Sequence, residues 1–403
     1  MSGEALPIDA ATAAHRAFAL ADPAELLDLA RSLIETESHK DHPEHELPLA
    51  RLLTRLFADA GIEAWMSGAW QGRPNVLARW GPETKPALVF NGHLDTIPAY
   101  NMPAAFQPRV ADGRLWGRGA CDMKGALAAM AYALVCLKRT GAAPRRPLMF
   151  AGAMGEEEGN WGSHYLLLGG LEADAAIVGE ATNLRIGTAH KGQGWFDLVV
   201  KGKATHSSVP EQGINAVVHA SRLIVALEDQ LQPVLAGRLH PLLGRSLLNV
   251  GVVAGGDQPN VVPGSCKVGC ERRWLPGETL SSVVAELESV IAGLRYRDPR
   301  FEAGVGLAEF SRTVPHPAMD LPPDSPVVRL LQEATRRALG APRETYGVPY
   351  SCDAGLLTGG GVPSAVFGPG DIAQAHSDAE YISVDELWQA FQVYVHAACM
   401  ACL

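Results

Sequence analysis

A histidine and an aspartate two residues apart, in Gly92-His93-Leu94-Asp95, follow an apolar run at 87–90, and three glutamates, Glu156, Glu157 and Glu158, follow another at 148–151. Glu180 stands just beyond a third run at 176–178, and His376 a short way beyond a fourth at 364–367. Asp122 lies between them, at the entrance to an alanine-rich stretch. Imidazole nitrogens and carboxylate oxygens are borderline-to-hard ligands, suited to divalent ions and to zinc in particular. In an open α/β sheet, ligands sit in the crevice beyond the carboxyl ends of the strands, so residues at four strand ends converge there. The set suits two ions: His93 and Glu180 on one, His376 and Glu157 on the other, with Asp122 as the bridge. Two ions about 3.5–4 Å apart share a carboxylate, ionise a water and polarise a carbonyl. Asp122 fits the bridge because a short side chain at a sharp turn has little freedom to swing. Asp95 is close enough to accept the far imidazole N–H of His93, fixing its tautomer. Glu156, beside the ions rather than on them, is placed as a general base.

The elements that must position these residues follow from periodicity. Residues 23–61 read as helices, with leucines at helical spacing, and strands are expected at 75–80 and 86–90. A helix is expected at 124–139, its N-terminal dipole supporting the anionic Asp122. Apolar strand runs separated by helices indicate an α/β fold with a mostly parallel sheet covered by helices. The middle of the chain differs: strand 195–200, helix 213–232, strands 246–253 and 265–274, helix 280–294 and strand 301–310 give the order β-α-β-β-α-β. That is the ferredoxin-like arrangement. An inserted α+β domain is therefore expected at 191–312, within a metal-binding domain made of 1–190 and 313–403. A final helix at 384–398 takes Ser383 as its N-cap.

Composition narrows the function. At 403 residues the chain exceeds one ordinary core. A formal charge of −10 argues against nucleic acid as a partner. No run of about 18 uninterrupted apolar residues appears, and residues 1–10 lack the features of a signal peptide, so a cytoplasmic protein is expected. The seven cysteines, at 121, 136, 266, 270, 352, 399 and 402, read as buried reduced thiols. His39, His42 and His45 are spaced three apart, but Pro43 interrupts any helix there, leaving a loop near the cleft mouth. Gly117-x-Gly119 lacks a third glycine for a dinucleotide site, and Gly359-Gly360-Gly361 reads as a turn rather than a phosphate cradle.

At these residues the chain resembles the dinuclear zinc amidohydrolase and peptidase family that includes acetylornithine deacetylase, succinyl-diaminopimelate desuccinylase, aminoacylase and glutamate carboxypeptidases. The resemblance is carried by Asn91–Thr96, Gly117–Gly125, Glu156–Gly159, Val178–Thr182, Ala204–Ser208 and Gln374–His376 and runs in the family's order from about residue 25. It implies that the inserted domain is a lid and dimerisation domain and that His206 supplies an oxyanion donor, usually across a homodimer interface. It further implies that Asn260 and Arg273 hold a substrate carboxylate, with Ser351 and Asp353 on a substrate-side loop. The peptide after Asp122 is often cis in this family. Departures are small: Gly155 replaces an acidic residue often found before the glutamate pair, and Cys121 a common serine. The resulting expectation is a deacylase or desuccinylase holding two divalent ions, Zn2+ or alternatively Co2+ or Mn2+. Its substrate is a small N-acyl amino acid, or a related amide, with a carboxylate. Hydrolysis of a ureido, amidine or aryl-amine C–N bond is the alternative; a non-catalytic binding protein is disfavoured because every ligand and Glu156 are present.

Overall fold

The computed structural model describes residues 8–309 and 316–403. Residues 1–7, the end of the strand expected at 301–310, and the junction expected at 312/313 lie outside the described residues. The chain forms two compact units. One holds the chain up to Thr188 with Leu321–Val348 and Cys352–Leu403, the other Ala189–Asp320 with Pro349–Ser351.

In the first unit, Leu88–His93 lies between Leu148–Ala153 and Ala176–Val178, and Ser364–Val366 follows on the latter side. These pairings are all parallel, so the carboxyl ends of the four strands share one edge. The outer pairings are antiparallel: Glu63–Trp70 with Arg73–Trp80, the latter with Leu148–Ala153, and Ser364–Val366 with Ile186–His190. The sheet is therefore mixed, which corrects the mostly parallel expectation. An apolar run reports burial on both faces and is silent about direction. The direction is set by connections, and here Gln71 and Gly72, both at positive φ (52° and 82°), form a two-residue hairpin that forces its strands antiparallel.

The helix Gly125–Arg139 is buried at every residue from Gly125 to Leu137. It packs against Ala10–Leu20, Pro23–Glu35 and Val384–Cys402. Alanines let the helices approach closely, and one face rests on Leu88, Phe90 and Phe150 in the shared core. The stretch Ala120–Arg139 is long and apolar enough to cross a membrane by length and composition, and its apolar window is wholly buried inside the protein. Asp9, Asp22 and Ser383 each accept a main-chain N–H at a helix start, offsetting otherwise unpaired donors.

In the second unit, strands lie in the order Leu247–Gly255, Ser265–Trp274, Gly192–Lys201, Glu302–Leu307, all antiparallel to their neighbours. With helices Ala216–Ala226 and Leu280–Arg297 the chain order is β-α-β-β-α-β, the split βαβ arrangement. Phe196, Leu198 and Val200, alternate residues of one strand, meet Leu223 and Leu287 in a separate core. All seven cysteines are buried and unpaired.

Candidate metal centre

Four of the polar residues leave the sheet at its common carboxyl edge. His93 ends Leu88–His93, Glu156 and Glu157 sit in the turn after Leu148–Ala153, and Glu180 is two residues past Ala176–Val178. His376 lies in the loop that follows Ser364–Val366, at φ 61°. Asp122 occupies the tight turn before Gly125–Arg139, and its peptide bond to Met123 is cis.

These side chains form two groups that share Asp122. The donor atoms of His93, Asp122 and Glu180 lie within 4.8 Å of one another, as do those of Asp122, Glu157 and His376. The two oxygens of Asp122 face different histidines: Oδ1 is 2.9 Å from His93 Nε2, and Oδ2 is 3.3 Å from His376 Nε2. His376 Nε2 is also 3.0 Å from Glu157 Oε1, and His93 Nε2 is 3.7 Å from Glu180 Oε1. The histidines differ in setting, with 1% of the His93 side chain exposed and 51% of His376.

The turns carrying these groups are held by hydrogen bonds to their main chain. Asp95 Oδ1 and Oδ2 accept the N–H groups of Glu156 and Glu157, each at 3.0 Å. The far nitrogen of His93, Nδ1, is 2.8 Å from the main-chain oxygen of Asp95 and 3.6 Å from its carboxylate. The imidazole is thus oriented by the Asp95 backbone, while the carboxylate fixes the glutamate turn. Asn75 Oδ1 accepts from Met154 N at 3.0 Å, and Glu46 Oε1 from Gly155 N at 3.1 Å. Arg73 joins Glu46 to Glu158 by ion pairs. Gly155 is at φ 64°, and a Cβ there would lie 3.2 Å from Arg73 Nη2, so glycine suits this position on both counts. Glu380, which sequence patterns did not single out, accepts from Cys121 N at 2.9 Å and Asp122 N at 3.1 Å, and pairs with Arg118 at 2.7 Å.

The electrostatics describe a site crowded with carboxylates. Burial raises Glu180 to about 8, aided by the charges of Asp122, Asp353 and Glu157 against the pull of His93. Burial likewise lifts Glu156 well above its ordinary value, with Glu180 and Glu157 adding to it and His93 opposing. Glu157 is raised by burial and by Asp122, against His376 and His93. His376 is raised to about 10 by hydrogen bonds to Asp122 and Glu157. Burial works against the charged form of His93, but Glu180, Asp122 and Asp95 outweigh it and raise the imidazole. The cluster retains protons that a divalent cation would displace, and its N/O donors match zinc and similar ions. The residues present therefore fit a pair of such ions.

The second unit brings His206 and Asn260 together: Thr205–His206 pairs with Val261–Val262, and Ser207 N donates to Asn260 O at 3.0 Å. Both residues are exposed, and His206 Nδ1 is 2.7 Å from Ser208 Oγ. Arg272 is fully buried and pairs with Glu278 and Glu286, whereas half-buried Arg273 pairs with Glu271 at 3.1 Å. Ser351 is half-buried, while Asp353 is buried in the first unit and accepts from Asn160 at 2.8 Å. His39 stacks on Phe106 and meets Glu37 at 3.2 Å, and among the described residues the His39–His42–His45 group forms no metal cluster.

The chain belongs to peptidase family M20/M25/M40, whose sequence profile matches residues 89–399. It is 35% identical over 351 residues to an acetylornithine deacetylase of Myxococcus xanthus, covering 85% of this chain and 86% of that one. An acetylornithine deacetylase of Pectobacterium atrosepticum is 31% identical, with 87% and 89% covered. Among solved structures, aminopeptidase PepT of Bacillus cereus superposes with a TM-score of 0.78 at 21% identity, covering 94% of this chain and 99% of that one. The Bacillus subtilis YXEP protein, described as a dinuclear metal binding peptidase of the M20 family, gives 0.71 at 17% identity, covering 94% and 98%.

Proposed function

We propose that this family member is a metal-dependent hydrolase that cleaves the amide C–N bond of an N-acyl amino acid. The observation that carries the reading is Asp122 with each oxygen turned to a different histidine, while Glu156 feels the charges of His93 and Glu180 in one group and Glu157 in the other and belongs to neither. His93 and Glu180 would hold one ion, His376 and Glu157 the other, and Asp122 both. When bound, the ions supply Lewis-acid polarisation of the acyl carbonyl and a lowered pKa for water.

The remaining work falls to the chain. Glu156 takes a proton from water as its oxygen adds to the acyl carbon, and returns that proton to the nitrogen as the C–N bond breaks. The products are a carboxylic acid and a free amine. Partial burial of Glu156, with Glu180 and Glu157 beside it, favours the protonated carboxyl and suits the second half of that exchange. His206 donates to the oxyanion, the electrostatic contribution that is usually largest. Arg273 binds the substrate carboxylate through its planar fork, with Asn260 as a second donor, and Ser351 lies on the substrate side. In this reading the inserted unit acts as a lid and dimerisation domain in a cytoplasmic homodimer, and zinc is the native ion.

The relatives direct the choice of substrate toward N-acetylornithine within a panel of N-acetyl and N-succinyl amino acids. The test is release of free amine, with metal content measured on the same sample. Turnover lost on chelation and restored by about two equivalents of zinc is the expected result, with cobalt and manganese compared in parallel. Two bound metals without amide cleavage would redirect the reading to ureido, amidine or aryl-amine C–N bonds. No bound metal would overturn it.

A further inference from the structure

Asn160 precedes the helix Trp161–Leu168 in a left-handed backbone conformation, φ 58° and ψ 30°, and is buried. Its side-chain Nδ2 lies 3.2 Å from Glu156 Oε1 and 2.8 Å from Asp353 Oδ1. An amide NH2 carries two hydrogens, so one nitrogen serves both carboxyls, and with acceptors on each side the nitrogen must face them. Asp353 is itself anchored. It opens the helix Asp353–Gly359, is buried, and is hydrogen-bonded by the Ser163 side chain. Ser163 Oγ in turn accepts from Asn91 Nδ2 at 3.2 Å. A line of polar contacts thus runs from Asn91, on the strand that ends in His93, through Ser163, Asp353 and Asn160 to Glu156. The bonds from Asp95, Glu46 and Asn75 hold the main chain of the glutamate turn. Asn160 takes the carboxyl itself.

The geometry points to Asn160 as a positioning residue for Glu156, an assignment that rests on reading Glu156 as the proton carrier. A glutamate has three side-chain torsions and, left alone, distributes its carboxyl among several rotamers. A proton carrier must instead present one oxygen to water and then to the departing nitrogen. Asn160 occupies Oε1, which leaves Oε2 as the atom that accepts and returns the proton. Asp353 keeps the amide from turning away. The left-handed backbone at position 160 explains why asparagine serves here, since it is among the few residues that tolerate this conformation.

The test compares wild type, Asn160→Gly and Glu156→Gln in zinc-loaded protein, with N-acetylornithine and N-acetylmethionine as substrates. Glycine keeps the backbone conformation and deletes only the amide. Should that variant fold poorly, Asn160→Asp keeps the shape and the backbone but offers no N–H, and the same direction of effect is expected. For Asn160→Gly, kcat is expected to fall about 10- to 100-fold, as for other losses of alignment, with KM and a metal content of two ions unchanged. In crystals, the Glu156 carboxyl is expected to hold one rotamer in the wild type and several in the variant. A variant with wild-type kcat, or with Glu156 still in its single rotamer, overturns the assignment and leaves the function standing. An active Glu156→Gln overturns the reading of Glu156 and the assignment with it. If the wild type cleaves neither substrate, the rotamer comparison decides the question by itself.

Discussion

The two units carry their polar residues in opposite ways. In the first, Asp122, Glu157 and Glu180 crowd together at the sheet edge, and the turns that carry Asp122 and Glu157 are tied down by Asp95, Glu46, Asn75 and Glu380. In the second, His206 and Asn260 are exposed on a ladder of two short strands, and the His206 side chain meets Ser208, two residues away. Buried carboxylates oppose folding unless something neutralises them, whereas an exposed imidazole carries little such cost. The contrast predicts that losing the shared carboxylate of Asp122 reaches metal content and stability together with turnover, while losing the exposed imidazole of His206 reaches turnover alone.

Asp122→Asn tests the first half most severely, because it removes the charge both groups share. Metal content is expected to fall and turnover to drop to background, with a lower thermal midpoint in zinc buffer. A variant retaining two ions would break the comparison at its strongest point. His206→Ala is the counterpart: kcat is expected to fall about 10²- to 10³-fold, as for loss of an oxyanion donor, with metal content and midpoint unchanged. Loss of metal in that variant would erase the distinction between the units.

Two adjacent arginines sharpen it further. Arg273→Ala should lower kcat/KM about 10- to 100-fold, since a charge-assisted hydrogen bond contributes about 1.5–3 kcal/mol. Arg272→Ala should leave kcat per folded molecule intact and lower stability, by less than the roughly 3–5 kcal/mol of an uncompensated buried charge, because Glu278 and Glu286 lose a buried partner but keep Arg238. The reverse pattern, measured by kinetics and denaturant unfolding, would place the substrate contact at Arg272 instead.

The smallest effect concerns acidity in the metal-free protein. Glu180, raised from 4.5 to about 8, stays protonated in the folded state where the unfolded chain has already ionised. The unfolded state then binds fewer protons, so stability falls as pH rises from about 4.5 toward about 8. His376, raised from 6.5 to about 10, contributes stability that is complete below 6.5 and lost as pH rises toward 10. Both act in one direction. Lys124, lowered by burial to about 7, and His190 and His316, lowered by burial to about 4, act the other way. But Glu156, Glu157 and His93 are raised as well, so the thermal midpoint of chelated protein is expected to decline between about pH 5 and pH 9, and that of zinc-loaded protein to change less. A midpoint that rises with pH after chelation would contradict this account of burial.

The donor side chains and their strand-end positions are legible because each depends on a short stretch of chain. His93 and Glu180 follow apolar runs directly, and the order of elements in the second unit could be read from alternation and helical spacing. What supports them was not legible. Glu380 holds the Asp122 turn from 258 residues away, and Asn160 meets Asp353 across 193. No local spacing marks such a pair. The direction of Arg73–Trp80 is not legible because a run buried on both faces looks alike whichever way it points. Arg73 and Glu46 are unmarked in the sequence for a related reason. Each looks like an ordinary surface charge until the fold buries the pair beneath Gly155.

The helix Gly125–Arg139 has no turn that meets water along Gly125–Leu137. Its amide hydrogens can exchange only when the whole unit opens, so they would report the global unfolding free energy of that unit. Asp122 stands three residues ahead of this helix, beside the amides expected to exchange most slowly. His376 sits on a loop with half its side chain in solvent, where local opening is easiest. The centre thus joins parts with very different lifetimes, a floor that persists as long as the fold does and a rim able to loosen many times within one such lifetime.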